Sequence, residues 1–339
     1  MKSIALVTSS KVDIENYVSG QEYCLRKLRQ VLEEEGYRTE LVEYENFLKS
    51  VVTMKLKPDV VHAYYLNSKQ LATLKTLLPK TSFIYHVYHV KDDTWDPLHT
   101  LSWKIFLIFS QLFVNYYLAT SLSVNRWLRQ RVFASNVALV EPFYECTCNT
   151  PRSHEVFFEK FKDPGEVRLL YIGRLHTLRF SVDSIVESLS MMPSKWKIKL
   201  TIATFSRNID FSEKKLRMND VEVEIINRRL SEKEKCALYR WAQFFLYPAI
   251  GNVAMNPPIT LLEASYHGAL PIVITHVLKD LDIPSELVID NISELSLEIE
   301  KLLAYPDGIL SLYMKLFTSL ERFFDRKRFL DDLRRSSLA

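Results

Sequence analysis

The chain has 339 residues, more than one hydrophobic core usually serves, so two domains are expected. An apolar fraction of 47% and a charged fraction of 25% are those of an ordinary folded protein rather than a disordered one. A net charge of +3 is too slight for the concentrated basic face of a nucleic-acid binder, and no nucleic-acid partner is expected.

The first element is IALVTS at 4–9, a short apolar run that reads as a buried strand. One basic residue ahead of it and polar residues just after it do not make a secretory signal, so a cytoplasmic location is expected. Leu25, Leu28 and Leu32 then recur at helical spacing between Gln21 and Glu35, and Gly36 closes the segment ahead of the strand-like YRTELVEY. DVVHAYY at 59–65 and SFIYHVYH at 82–89 read as further strands, as do YYLATS at 116–121 and NVALVEP at 136–142. Between them, LSWKIFLIFSQLFVNYYLAT at 101–120 is apolar but broken by Lys104, Ser110, Gln111 and Asn115, a poor membrane span. Two readings stand for it: a helix lying at a membrane interface, or a helix buried in a core.

Polar residues from Cys146 to Glu166 suggest a domain boundary, after which the alternation restarts with VRLLYIG, KIKLTIAT, VEVEII, QFFLYP and LPIVIT. Helices are expected near 181–191, 231–240 and 259–267. The pattern predicts an α/β protein of two similarly built parallel-sheet domains, at 1–160 and 161–310. A helical segment at 311–339 packs on one of them, with a return to the first as one option. Cys24, Cys146, Cys148 and Cys236 show no tetrahedral-metal spacing, so plain reduced thiols and no metal are expected.

Ligands of open parallel sheets bind beyond the carboxyl ends of the strands. Arg174 and Arg179 follow the strand VRLLYIG, and guanidinium groups there suit a phosphate; solvated loop arginines are the alternative. Pro257 and Pro258 precede the helix at 259–267, leaving the N–H groups of Ile259 and Thr260 for a phosphate at its start. Glu263, one turn on, either accepts from the two hydroxyls of a ribose or pairs with a neighbouring Lys or Arg. His89 follows a strand, where a neutral imidazole can steady a sugar hydroxyl; His62 and His86 are equally read as structural. Gly20 is the lone glycine ahead of the first helix at the position of a phosphate loop.

Taken in order, VSGQEYCLRKLRQVLEEEGYRTELVE, KPDVVHAYY, LLYIGRLHTLRF, RRLSEKEKCALYRWAQFFLYPA and LLEASYHGALPIV resemble the retaining glycosyltransferases of family 4 over nearly the whole chain. The resemblance implies the GT-B architecture of two Rossmann-like domains facing a cleft. It implies a UDP- or GDP-sugar donor as substrate, with no separate cofactor, and transfer to a hydroxyl of a glycan or lipid-linked acceptor. By the same resemblance Arg174 and Arg179 clamp the donor diphosphate, Glu263 holds the ribose, His89 touches the transferred sugar and Gly20 lies in the opening loop. Met255 stands where the family has its first glutamate, and Asn256-Pro257-Pro258 replaces a glycine-flanked phenylalanine. Asn256 is then the residue placed to contact the sugar. Family members that act on lipid-linked acceptors rest an apolar, basic domain on the membrane, and 98–118 would be that contact here. A catalytically inactive GT-B partner is the alternative that Met255 favours, and a phosphorylase-like or sugar-phosphate synthase activity on the same scaffold is a further one.

Overall fold

The structure is a computed structural model. It describes residues 2–9, 20–88, 97–146, 148, 154–161, 165–173, 182–204, 214–218, 220–247, 258–274 and 280–335. The chain divides into two compact units, one within Met1–Phe143 and Asp325–Ala339, the other within Tyr144–Val253 and Pro257–Phe324. The sequence expectation set the corresponding boundary at 160/161, between the last two residues of a helix, His154–Phe161, that belongs to the second unit.

The first unit alternates strand and helix: β1 (Ser3–Thr8), α1 (Gly20–Glu34), β2 (Arg38–Glu43), α2 (Tyr44–Val52), β3 (Val60–Tyr64), α3 (Ser68–Leu77), β4 (Ser82–Val87), α4 (Pro97–Ser110), β5 (Tyr116–Ala119), α5 (Leu122–Arg131) and β6 (Val137–Leu139). Its six strands pair in parallel in the order β2-β1-β3-β4-β5-β6. Helices on both faces bury the inner strands, which is why β1 and β3 read as continuous apolar runs rather than alternating ones. Gly36 ends α1 at φ +85°, with Tyr37 N–H returning to Leu32 O, a stop that needs a left-handed residue. Asn67 and Gln70 cap the start of α3 reciprocally. The unit is completed by α12 (Arg326–Leu333), whose Phe329 stacks on Phe143 at 5.7 Å. Arg328 of α12 pairs with the buried Glu141 at 2.6 Å, and Arg326 and Arg334 pair with Glu34 and Glu35 beside α1.

α4 departs from the core-helix reading. Leu107 and Ser110 are buried and Trp103 and Phe106 pack partly on the core, but Leu101, Ile105, Ile108 and Phe109 are exposed. Phe109 shows 58% of its surface and Leu112, in the turn after the helix, 73%. Among the described residues no helix is long and apolar enough to cross a membrane.

The second unit comprises α6 (His154–Phe161), β7 (Glu166–Ile172), α7 (Val182–Ser190), β8 (Lys197–Thr204), β9 (Lys214–Met218), β10 (Val221–Asn227), α8 (Glu232–Trp241), β11 (Phe244–Tyr247), α9 (Ile259–Tyr266), β12 (Leu270–Ile274), β13 (Val288–Ile289), α10 (Leu295–Ala304) and α11 (Pro306–Leu320). Its strands lie in the order β13-β12-β11-β7-β8-β10-β9, all parallel except the edge strand β9. Without β9 this is the doubly wound order in which the connection reverses direction between β7 and β11. β9 was not expected: KKLRM carries too little apolar pattern to announce a strand, and antiparallel pairing with β10 defines it.

Candidate functional site

The reversal between β7 and β11 is where an open sheet of this kind leaves a crevice at its carboxyl edge. Arg174 follows β7 in sequence after Gly173, and α9 follows β11. Half of the predicted site can therefore be located. Gly20, Ile259, Thr260 and Glu263 are described, whereas His89, Arg174, Arg179 and Asn256 lie outside the described residues.

α9 begins immediately after Pro258, whose extended backbone makes it the N-cap. The first N–H groups to find an acceptor in the helix are those of Leu261 and Leu262, both on Pro258 O. Ile259 and Thr260 precede that ladder, so their N–H groups point out of the helix start, the end that carries partial positive charge. Ile259, Leu261, Leu262 and Ala264 are buried, which makes α9 a core helix with a polar start. Gly268, at φ +72°, closes it, and Ala269 N–H donates to Ala264 O at 2.9 Å.

Glu263 is the acid inside this apolar helix, and only 3% of it is exposed. Its Oε1 accepts from Lys235 Nζ at 3.1 Å and its Oε2 from the Tyr239 hydroxyl at 2.9 Å. Both partners stand on α8, one turn apart, and the start of α8 is fixed by a Ser231–Glu234 capping box. Of the two readings of Glu263, the pairing with a lysine is thus present. It leaves acceptor capacity, since a carboxylate offers about four lone-pair directions. Burial pulls the Lys235 pKa down, but the Glu263 and Glu232 carboxylates together outweigh it and hold the ammonium above its ordinary range. Burial and then the Glu263 charge push the Tyr239 phenol well up, so it stays a donor.

Lys160 was not foreseen, because its neighbourhood reads as a polar linker. Its Nζ is buried and donates to Tyr239 O, Ala242 O and His267 O at 2.9, 3.0 and 2.8 Å. One ammonium thus satisfies carbonyls at the carboxyl ends of both α8 and α9, where cations are favoured. Burial, Arg168 and Arg240 lower its pKa, while the three carbonyls favour the charged form.

In the first unit, Gly20 opens α1. His62 Nδ1 and His86 Nε2 are 2.7 Å apart and both rings are buried, with Tyr64 stacked on His86 at 4.1 Å. Burial lowers His62 to about 3, and burial followed by the neighbouring His62 lowers His86 well below the ordinary range. Both are neutral at physiological pH and serve as a core hydrogen-bonded pair, the structural reading given above.

The cysteine expectation is corrected. Cys148 and Cys236 form a disulfide, and the sulfurs of Cys146, Cys148 and Cys236 all lie within 4.8 Å of one another. No sequence signal announces this, because the fold brings together residues 88 positions apart.

No protein-family model matches the sequence, and no curated protein sequence matches it. The fold is shared with several solved structures. An Anabaena protein, HepE, in complex with UDP superposes with a TM-score of 0.67 at 11% identity, covering 100% of both chains. The α,α-trehalose 6-phosphate synthase of Burkholderia multivorans gives 0.66 at 11% identity over 100% of this chain and 97% of that one. A glycosyltransferase from Rickettsia africae gives 0.59 at 13% identity over 99% and 98%. At these identities the likeness establishes the fold: two Rossmann-like domains of the GT-B type.

Proposed function

We propose that the chain binds a nucleoside-diphosphate sugar at the carboxyl edge of the second unit's sheet and transfers the sugar to a hydroxyl acceptor with retention of configuration. The observation that carries this reading is the start of α9. An outward-pointing pair of N–H groups at Ile259 and Thr260 stands one turn before a buried carboxylate, on the helix that follows the strand-order reversal. A diphosphate fits the first feature and a ribose the second. That an Anabaena protein of the same fold was crystallised with UDP, and again with UDP-glucose, supports the same ligand class here.

In this reading Arg174 and Arg179 neutralise the diphosphate, Asn256 meets the donor sugar and His89 contacts the transferred sugar. The protein's contribution to the reaction is orientation and charge stabilisation of the departing diphosphate. Membership of the retaining family 4 belongs to this proposal and rests on the sequence segments quoted above. The exposed face of α4 is the proposed contact for a membrane-proximal, lipid-linked acceptor. It borders a groove of about 540 Å³ lined by Lys69, Ile105, Phe109, Leu112 and Phe113 among others.

The test is a panel of UDP- and GDP-sugars, scored by protection against thermal unfolding and by release of nucleoside diphosphate. Protection together with release is expected for at least one donor. Protection without release on any acceptor supports instead the inactive-partner reading that Met255 raises, and neither effect with any nucleotide removes the proposal.

A further inference from the structure

A disulfide accounts for two of three sulfurs that converge on one spot of the second unit, beside a histidine. Cys146 Sγ lies 3.6 Å from His267 Nε2 and accepts the backbone N–H of Cys148 at 3.4 Å. Cys236 projects from α8 and is buried, and His267 is the buried residue that ends α9. The His267 ring is held in place, stacked nearly parallel on Tyr239 at 6.0 Å and edge-on to Tyr266 at 5.4 Å. The segment carrying the other two sulfurs is anchored by Tyr144 N–H on Phe323 O at 2.8 Å. Three sulfurs thus lie within 4.8 Å of one another, and the His267 imidazole reaches the cluster at Cys146, with its ring already held by its aromatic neighbours.

We propose that Cys146, Cys148, Cys236 and His267 form a Cys3His site for a tetrahedral divalent metal, Zn²⁺ by donor type, which alternates with the Cys148–Cys236 disulfide. Three thiolates and one imidazole are the donor set that zinc takes in closed four-coordinate sites. Zn–S bonds of about 2.3 Å and a Zn–N bond of about 2.0 Å give tetrahedral edges of roughly 3.8 Å between sulfurs and roughly 3.5 Å from sulfur to nitrogen. The Cys146–His267 separation of 3.6 Å already matches the second edge, and no pair among the three sulfurs exceeds 4.8 Å. The Cys148 and Cys236 Cα atoms are 6.8 Å apart, at the wide limit for a disulfide, so a metal can enter between their sulfurs without drawing the backbone together. The Cys148 N–H on Cys146 Sγ and the ring contacts of His267 are outer-shell supports of the kind that hold ligands in register.

The two states interconvert by a balanced exchange. A dithiol reductant gives two electrons and two protons to the Cys148–Cys236 bond, becoming a disulfide itself and leaving two thiols. Metal binding then releases the three thiol protons to solvent as three sulfur–metal bonds form. Cys236 lies next to Lys235 and one turn before Tyr239, so the disulfide ties α8, which holds Glu263, to Cys148, and the metal would add the end of α9 through His267. The inference stands independently of the sugar-transfer reading.

The experiment uses the full chain, reduced with a phosphine under anaerobic conditions, freed of metal and titrated with Co²⁺. One cobalt per chain is expected, with thiolate-to-cobalt charge transfer in the near ultraviolet and intense tetrahedral d–d bands, both bleached by Zn²⁺. The unreduced chain should show neither band. Cys146→Ser and His267→Asn should each weaken cobalt binding by about 100-fold or more, because losing even an outer-shell partner costs 10–100-fold. Cys24→Ser, in the first unit, should leave spectrum and affinity unchanged. Should the serine variant not fold, alkylating the wild-type thiols before reduction blocks Cys146 alone of the four donors, and the same weakening is expected. Absence of tetrahedral bands in wild-type protein shown to be fully reduced overturns the proposal, as does a Cys146-blocked chain that binds cobalt like the wild type.

Discussion

Glu263 sits where a carboxylate is costly, and its partners show how the fold offsets that cost. Lys235 supplies the countercharge and Tyr239 a neutral donor, and Lys235 is itself shared with Glu232 at 2.7 Å. Glu263→Gln keeps the shape and removes the charge. We expect it to weaken a ribonucleoside diphosphate by about 1.5–3 kcal/mol, the usual worth of a hydrogen bond to a charged group, and a 2′-deoxy analogue by clearly less. Calorimetry on both ligands checks this, and an unchanged ratio of the two affinities rules out the ribose role. A second residue-scale expectation concerns His62, held at about 3 against an ordinary 6.5. Between those values the unfolded chain takes up a proton that the native chain refuses. Its contribution is therefore complete above about pH 6.5 and lost as pH falls, with a slope approaching about 1.4 kcal/mol per pH unit. Urea unfolding across that range should show a shallower acid limb in His62→Asn than in the wild type, by up to about one proton. Identical limbs would mean that the pair is not held neutral.

The carboxyl ends of α8 and α9 are joined through a side chain from a third element, α6. Lys160→Met preserves most of the buried stem and removes the donor from three carbonyls. We expect a loss of about 2–4 kcal/mol, seen as a lower urea midpoint at unchanged slope. A loss below about 0.5 kcal/mol would show that water replaces the ammonium without penalty. Elements of this sort mark the limit of what the sequence displays. Buried parallel strands such as β1 and β3 are plain in it because both faces are covered and the run of buried residues is almost unbroken. The same holds for α9 between its proline start and glycine stop. Lys160 is hidden because a lysine in a polar stretch reads as solvated, and only the convergence of α6, α8 and α9 gives it three acceptors. The cysteine cluster is hidden for a related reason: no spacing rule joins Cys146 and Cys148 to Cys236 and His267. α4 misleads in the opposite direction, since its nearly all-apolar circumference looks like a core helix while the sheet covers only one side of it.

At the scale of the molecule, that uncovered side makes a prediction of its own. Ile105, Ile108, Phe109 and Leu112 form an exposed apolar surface with Lys104 beside it, suited to the interface of an anionic bilayer. The full chain should sediment with liposomes, increasingly so as anionic lipid rises. The pair Phe109→Ser and Leu112→Ser, both exposed and so tolerated by the fold, should abolish sedimentation. No sedimentation at any composition sinks the idea. The return of the chain to its first unit carries a different kind of consequence. α12 lays Phe329 on Phe143, and Phe329 and Leu333 line a cavity together with Leu28 and Val140, so the first unit is completed by its most distal described helix. Order of synthesis then opposes order of assembly. On the ribosome the first unit is made before the helix that covers Phe143, and the second can settle before that cover arrives. A chain released before residue 326 leaves Phe143 and the buried Glu141 without their α12 partners, so the last step in completing the first unit falls to a segment made after the whole of the second.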